Sequence, residues 1–425
     1  MQLVNGSRVV IVGGGPAGSF FALHLLRFAA EARLDLEVII LEPRDFYRPG
    51  AGGCNKCAGI LSSTLVRHLE SLELSLPPAL IQSELNTYVL HLGKSELPVC
   101  QPDPTRRIFS IYRGSGPRLG SSPFPVSFDG WLLAQAQARG AKFQRGHAWT
   151  ILPGQRPTVC TSHENIEADL VVVATGVNSR TPLDPAWGYR PPRSEIMAQD
   201  EVFLSNKVLD NQVHIYFDDT PGLIFGAVVP KGRYINLSLL GHGLATDAVP
   251  SFLNGHDLAT QFPDDTHRLC GCRPRIAVSS ALRYYADRMV VVGDAAVTRL
   301  YKDGIGAAFI TAEAAARTAI QRGITCRDFA VGYRPVCQRI ANDNVYGQLF
   351  FRLWVFTHHT PLLLKTWQRA VLEETRSSCE PYVVRRVLWN IFTGDETYRK
   401  TFWFSLSLPV LLSLWKSTYK EWRQG

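Results

Sequence analysis

Cysteine is scarce in this chain: nine residues in 425, an odd number. That density excludes a disulfide scaffold and leaves at least one thiol unpaired. Long apolar runs are also missing. The most apolar stretch, TFWFSLSLPVLLSLW at 401–415, has only fifteen residues and contains Pro409. A bilayer span needs about 20, so a buried helix or a helix lying in the membrane plane is expected instead. The opening residues, MQLVNGSRVVIVGGG, show no basic segment followed by an apolar core and cleavage site, so a reducing, cytoplasmic compartment is expected. HExxH, a Ser-His-Asp pattern, internal repeats and low-complexity tracts are all lacking. Isolated histidines such as His358 and His359 read as ordinary polar groups.

What is present is a globular composition. Hydrophobic residues make up 46%, which excludes wholesale disorder, and 425 residues require two or three cores. The net charge is +8, unevenly spread. Residues 331–425 hold thirteen Lys/Arg against seven Asp/Glu and six of the nine tryptophans: Trp354, Trp367, Trp389, Trp403, Trp415 and Trp422. Basic, aromatic and apolar residues together suit an anionic membrane surface, while a helical cap with a solvated basic face has the same composition. Arg399, Lys400, Lys416 and Lys420 flank the apolar stretch where snorkelling cations would sit. The rest of the chain is nearly neutral and lacks a nucleic-acid motif, so no nucleic-acid partner is expected.

The organisation follows from hydrophobic periodicity. RVVIVG (8–13), an apolar-periodic helix and LEVIILE (36–42) form a β-α-β unit. A hairpin is predicted around Gly93 and Lys94, and a helix over 128–139 with Asp129 near its start. ADLVVVATG (168–176) and RMVVVGD (288–294) read as further buried strands. Residues 200–241 give several alternating strands, and beyond about 321 the chain reads as all helix.

Gly13-x-Gly15-x-x-Gly18, with Ala17 inside it, lies between strand and helix, and Glu42-Pro43 closes the next strand. The glycines permit a tight turn and close approach of a pyrophosphate to the helix N-terminus. The Glu42 carboxylate can accept from ribose hydroxyls. In this context the pattern marks a dinucleotide site. Later elements distinguish the dinucleotide. Ala174-Thr175-Gly176 and Gly293-Asp294 end buried strands, and Gly304-Ile305-Gly306 opens a small-residue helix. In a two-part FAD fold the Asp of such a Gly-Asp pair contacts the ribityl chain. The helix amides would face the flavin pyrimidine edge.

With these motifs in order, residues 7–330 resemble the FAD-dependent geranylgeranyl reductase family, within the wider group of single-FAD-domain hydroxylases and halogenases; the C-terminal helices match more loosely. The resemblance implies an α/β fold: a Rossmann-like FAD domain (about 1–85, 126–182 and 275–330), an inserted antiparallel substrate sheet (about 86–125 and 183–274), and a helical region over 331–425. It matches Cys57-Ala58-Gly59, in the stretch GGCNKCAGI, to the family's Cys-Gly-Gly type loop over the flavin. Cys57 would then border the substrate and donate a proton, with Lys56 beside it, or serve only as a small wall residue. It matches Phe225–Lys231 to the family's aromatic segment ending in Phe-Pro. Pro230 is kept, one aromatic is Phe225, and Ala227 replaces the expected tryptophan, implying a roomier pocket. Tyr216 joins these as a substrate candidate. Related flavoproteins carry an arginine before the Phe-Asp at 128–129. Here Val126-Ser127 stand there, so Arg113, or else Arg118, is expected at the diphosphate.

The resemblance implies reduction of carbon-carbon double bonds in an isoprenoid or another lipid, with NAD(P)H or ferredoxin as electron donor. The chain has no second dinucleotide fingerprint. Two alternatives stand beside it: a flavin monooxygenase, and a membrane electron-transfer flavoprotein reducing a quinone. A halogenase is disfavoured because no W-x-W-x-I-P segment occurs. Cys54, Cys57, Cys270 and Cys272 could hold zinc or an iron-sulfur cluster. The two pairs lie more than two hundred residues apart and C-x-C is an irregular spacing, so no metal site is expected.

Overall fold

The computed structural model describes residues 1–54, 57–92, 95–116, 126–203, 211–217, 220–256, 271–376 and 382–424. Lys56, Gly93, Lys94, Arg118 and Cys270, each invoked above, lie outside the described residues.

The first sheet runs in the order Tyr285–Ala286, Met289–Val291, Leu170–Val173, Arg8–Val12, Glu37–Leu41, Lys142–Gln144. All its pairs are parallel except the first. The near-continuous apolar runs follow from burial on both faces. Val9, Ile11, Val38, Ile40, Leu170 and Val172 face the helices Pro16–Glu31, Phe128–Ala138 and Gly304–Gln321. Their neighbours Val10, Val12, Ile39, Leu41, Val171 and Val173 face a three-stranded meander formed by Ala148–Leu152, Thr158–Thr161 and Asn165–Glu167. The predicted helix at 128 is present, capped by the Ser127 hydroxyl, which accepts from Gly130 N at 3.1 Å.

The second sheet has the order Ala198–Phe203, Tyr234–Gly241, Leu223–Lys231, Gln212–Phe217, Thr87–Leu92, Ser95–Cys100. The last two strands are the predicted hairpin. The sheet is antiparallel with one exception: Gln212–Phe217 runs parallel to Thr87–Leu92. These strands belong to separate excursions of the chain, on either side of the helix Phe128–Ala138, so no hairpin constrains their relative direction.

Period-two alternation gives this sheet two different neighbours. Tyr88, Leu90, Val213, Ile215, Phe217 and Phe225 pack with Phe350, Phe351, Trp354, Leu388, Trp389 and Tyr398 of the C-terminal helices. Tyr216, Val228, Ile235, Leu237 and Leu239 pack with Val249 and Phe252 of the short helix Ala248–Gly255. The C-terminal region is helical as predicted: Cys326–Gly332, Arg334–His358, Pro361–Arg376, Val383–Thr393, Tyr398–Ser405 and Leu408–Gln424. The apolar stretch 401–415 is divided between the last two helices. Among the described residues, no helix is long and apolar enough to cross a membrane.

Candidate functional site

The glycine turn after Arg8–Val12 is shaped by contacts that exclude side chains. Gly13 has φ +111, and a Cβ on it would stand 2.5 Å from Ala174 O. A Cβ on Gly18 would stand 1.9 Å from Gly13 O. The helix Pro16–Glu31 begins with Pro at its first position, where no intrahelical N–H is needed. Gly15, Pro16 and Ala17 then form one wall of a large cavity.

Glu42 is 2% exposed. One carboxylate oxygen accepts from Gly14 N at 2.9 Å. The other accepts from Arg44 N at 3.0 Å and Arg44 Nε at 3.1 Å. The acid therefore ties the glycine turn to the next strand. Pro43 is exposed and Arg44 lines the cavity. Arg44 escaped the sequence reading; its one signal was its position two residues after the acid.

Asp294 lines the same cavity, and burial raises its carboxyl above the usual range. Its Oδ1 is buried without a hydrogen-bond partner, as is Thr175 Oγ1 beside it in the lining. Gly293 has φ +65, and a Cβ there would meet the Ala17 methyl at 2.6 Å, so glycine alone lets the two motifs approach. Orphaned buried oxygens beside a free helix N-terminus fit the hydroxyl-bearing linker and diphosphate of a dinucleotide. Thus Gly15, Ala17, Ala174, Gly176, Asp294, Gly304 and Ile305 border the cavity, whereas Gly13, Gly18 and Gly293 shape it from behind.

Two of the expected cofactor residues carry bonds within the protein. Gly306 N–H donates at 3.2 Å to Asp303, which sits in left-handed conformation and caps the helix. A carboxylate thus occupies part of the helix N-terminus expected to face the flavin. Arg113 borders the cavity but bonds Asp129 through both Nε (2.5 Å) and Nη2 (2.9 Å). Burial opposes its charge, and the Asp129 pair outweighs that and holds it protonated.

Cys57 lines the cavity and is half-buried, its Sγ accepting from Gly59 N at 3.4 Å. The opposite wall is apolar: Tyr88, Val213, Ile215, Phe225, Ala227 and Leu240 from the second sheet, Phe351, Ile391 and Phe392 from the C-terminal helices. Of the expected substrate contacts, Phe225 and Ala227 are here. Tyr216 and Pro230 are not. Both sit one residue out of phase, on the reverse face, where Tyr216 stacks on His91 at 4.0 Å. Alternation along a strand assigns neighbours to opposite faces.

The segment between Asp294 and the helix at 304 is held by the C-terminal helices. Arg299 donates to Asp303 Oδ2 (2.7 Å), Gly394 O (2.8 Å) and Glu396 O (2.7 Å). Lys302 donates to Asn390 O at 2.6 Å and lies 3.8 Å from the Tyr398 ring centroid. Burial, and next Arg299, depress its pKa well below the usual lysine value. Tyr398 OH donates to Leu300 O at 2.7 Å, and Asn344 bonds Leu300 N and Thr298 O. Such a clamp holds Tyr301 and Asp303 in left-handed backbone, which costs roughly 1–2 kcal/mol per residue. Motif reading missed Arg299, Lys302, Asn344 and Tyr398 because they match by packing, not spacing.

Cys270 of the cysteine quartet lies outside the described residues. Among the described residues, no group of three His, Cys, Asp or Glu could hold a metal.

No protein-family model and no curated protein matches the chain. Solved structures do. A geranylgeranyl bacteriochlorophyll reductase-like protein from Thermoplasma acidophilum superposes with TM-score 0.65 at 14% identity, over 98% of this chain and 100% of its own. A flavoprotein/dehydrogenase from Cytophaga hutchinsonii gives TM-score 0.63 at 15% identity, over 91% and 92%. The oxygenase acting on 2-methyl-3-hydroxypyridine-5-carboxylic acid gives TM-score 0.55 at 15% identity, over 81% and 90%. The chain therefore has the single-FAD-domain flavoprotein fold that reductase-like, dehydrogenase and oxygenase structures share.

Proposed function

We propose that the protein is an FAD-dependent oxidoreductase that reduces carbon-carbon double bonds of an isoprenoid or other hydrophobic substrate. The observation that carries this reading is the single cavity joining the dinucleotide cradle to an apolar wall. Bound FAD would supply hydride at its N5 position. Glu42 would hold the ribose, the amides of the glycine turn the diphosphate, and Asp294 Oδ1 the ribityl hydroxyls. Phe225, Ile215, Tyr88 and Phe351 would orient the alkene and exclude water. Cys57 Sγ, at the boundary between cradle and wall, would hold the proton for the second alkene carbon. Reducing equivalents would come from transiently docking NAD(P)H or from ferredoxin. Mass spectrometry of lipid extracts from cells with and without the gene tests this. A gain of two hydrogens per step supports reduction. A gain of oxygen supports the monooxygenase alternative, which the likeness to the pyridine-carboxylate oxygenase favours.

A membrane-soluble substrate calls for a docking face. Trp403, Leu408, Leu411, Leu412 and Trp415 are exposed on the last two helices, with Leu406 exposed between them, and Val345, Leu349, Leu353 and Phe356 form an exposed stripe on Arg334–His358. The six tryptophans do not act together: Trp354 and Trp389 are core residues, and Trp367 packs against that core. The apolar face with Lys416 and the flanking cations suits peripheral docking of a cytoplasmic protein to an anionic bilayer.

A further inference from the structure

The cavity wall is not uniformly apolar. Where Ala198–Phe203 pairs with Tyr234–Gly241, three polar side chains share its cavity face. Gln199 stands directly opposite Ser238, and both line the cavity. Asn236 is two residues along the same strand, hence on the same face. All three are nearly inaccessible: Gln199 2%, Ser238 1%, Asn236 0%. Ser238 Oγ donates to Asn236 Oδ1 at 2.7 Å. Gln199 Oε1 and Asn236 Nδ2 have no partner.

We infer that this corner binds the head group of the substrate, and that the head group is a neutral hydroxyl. The inference rests on the proposed function only in taking the occupant to be largely hydrophobic. The two orphans are complementary: Oε1 needs a donor and Nδ2 needs an acceptor. A hydroxyl is both in one group. A carboxylate or ether has no hydrogen for Oε1, and an ammonium has no lone pair for Nδ2. Glu201, opposite Asn236, is paired with Lys231 at 3.5 Å, and the buried Asp200 falls on the reverse face of the strand, so the corner presents no net charge to select an ion. The two orphans lie on a diagonal, Gln199 opposite Ser238 and Asn236 two residues further on; diagonal neighbours stand about 7–8 Å apart, within reach of long side chains, so one hydroxyl between Oε1 and Nδ2 can meet both. The small side chain of Ala227, paired with Ser238, leaves the approach open from the apolar wall. An amphiphile held here would lay its chain along Phe225, Ile215 and Tyr88.

The test is ligand binding to the FAD-loaded protein without turnover, read by perturbation of the flavin spectrum and by calorimetry. The probes are farnesol, farnesyl methyl ether and farnesoic acid. Farnesol is expected to bind about ten- to a hundredfold more tightly than either analogue, the range of one or two buried hydrogen bonds. Gln199→Leu should bring farnesol down to the affinity of the ether and leave the ether unchanged. Gln199→Met, closer in shape, should do the same if the leucine variant fails to retain FAD. Equal affinity for the three probes, preference for the acid, binding of none, or equal weakening of all three in the variants would overturn the inference. The proposed reaction is read separately. Farnesol that binds selectively but is not reduced by the chemically reduced holoenzyme sinks alkene reduction and leaves the corner standing. Reduction without alcohol preference does the reverse.

Discussion

Two regions face each other across the cavity, and they are built by different means. The cradle, from the glycine turn to Gly293-Asp294, is made of backbone. Its shape comes from positions where a Cβ cannot fit, such as Gly18 against Gly13 O. The C-terminal cap is made of side chains. Its place depends on Arg299, Lys302, Tyr398 and Asp395, each bonded to a partner distant in sequence. Asp395 alone accepts from Ser63 N, Ser63 Oγ and Trp389 Nε1. A backbone site needs certain residues at certain spacings; a side-chain site needs only complementary partners, and these can come from anywhere. The first leaves a signature and the second does not.

The comparison breaks most directly at the glycines. Gly18→Val should abolish flavin binding and lower the melting temperature sharply, because no rotamer relieves a backbone clash of this kind. Gly15→Val, at the cavity wall, should lose flavin while the apoprotein keeps its fold. Absorbance and melting curves after gel filtration separate the two; full flavin occupancy in either variant removes the assignment of the cradle. Next in size is Arg299→Met, which strands the Asp303 carboxylate in a buried site. A loss of about 3–5 kcal/mol is expected in denaturant unfolding. A separate early transition for the cap, with the cradle unaffected, would show that the two regions are independent.

At their boundary, Cys57→Ser should slow substrate reduction about a hundredfold if the thiol delivers the proton, and leave reduction of the flavin itself nearly unchanged. Identical half-reactions in variant and parent would make Cys57 a wall residue. His24 tests the cradle's own core. It is fully buried on the helix Pro16–Glu31, with both ring nitrogens unpartnered, and burial lowers its pKa from 6.5 to about 3. The unfolded chain binds a proton below 6.5 that the folded chain refuses, so stability is full above that value and is lost as pH falls toward 3. His24→Leu should therefore be the more stable form in acid, by roughly 2 kcal/mol near pH 5, with the gap closing at neutrality. A pH-independent gap would contradict this.

The smallest effect belongs to the cap's outer face. Lys420 is held by Glu373 at 2.8 Å, so Lys416, which is exposed, is the cleaner position to reverse. Trp415→Ser with Lys416→Glu should weaken binding to anionic vesicles about tenfold, at about 1 kcal/mol per cation near the surface plus lost apolar contact, without moving the melting temperature. If the parent protein fails to pellet with such vesicles at low salt, the docking face has another purpose.

Much of the molecule was legible because local rules govern it. The buried strands, the helix at 128, the hairpin flanking 93–94 and the all-helical C-terminal region follow from periodicity, and the cradle follows from glycine spacing. Face assignment was less secure. Phe225 and Ala227 were placed at the cavity together with Pro230, although residues of one strand at odd separation cannot share a face. Arg113 was read for its charge, and its partner Asp129, sixteen residues on at the start of the predicted helix, was not weighed.

By itself the sequence determined a dinucleotide cradle, since only glycine permits those backbone approaches and only a strand-turn-helix brings them together. Tertiary structure alone decided what faces the cradle. The clamp on Leu300–Asp303, the apolar wall shared by sheet and cap, and the polar corner at Gln199 all arise where segments distant in the chain are brought together. Their physical basis is long-range packing and the pairing of buried polar groups, which no local spacing encodes.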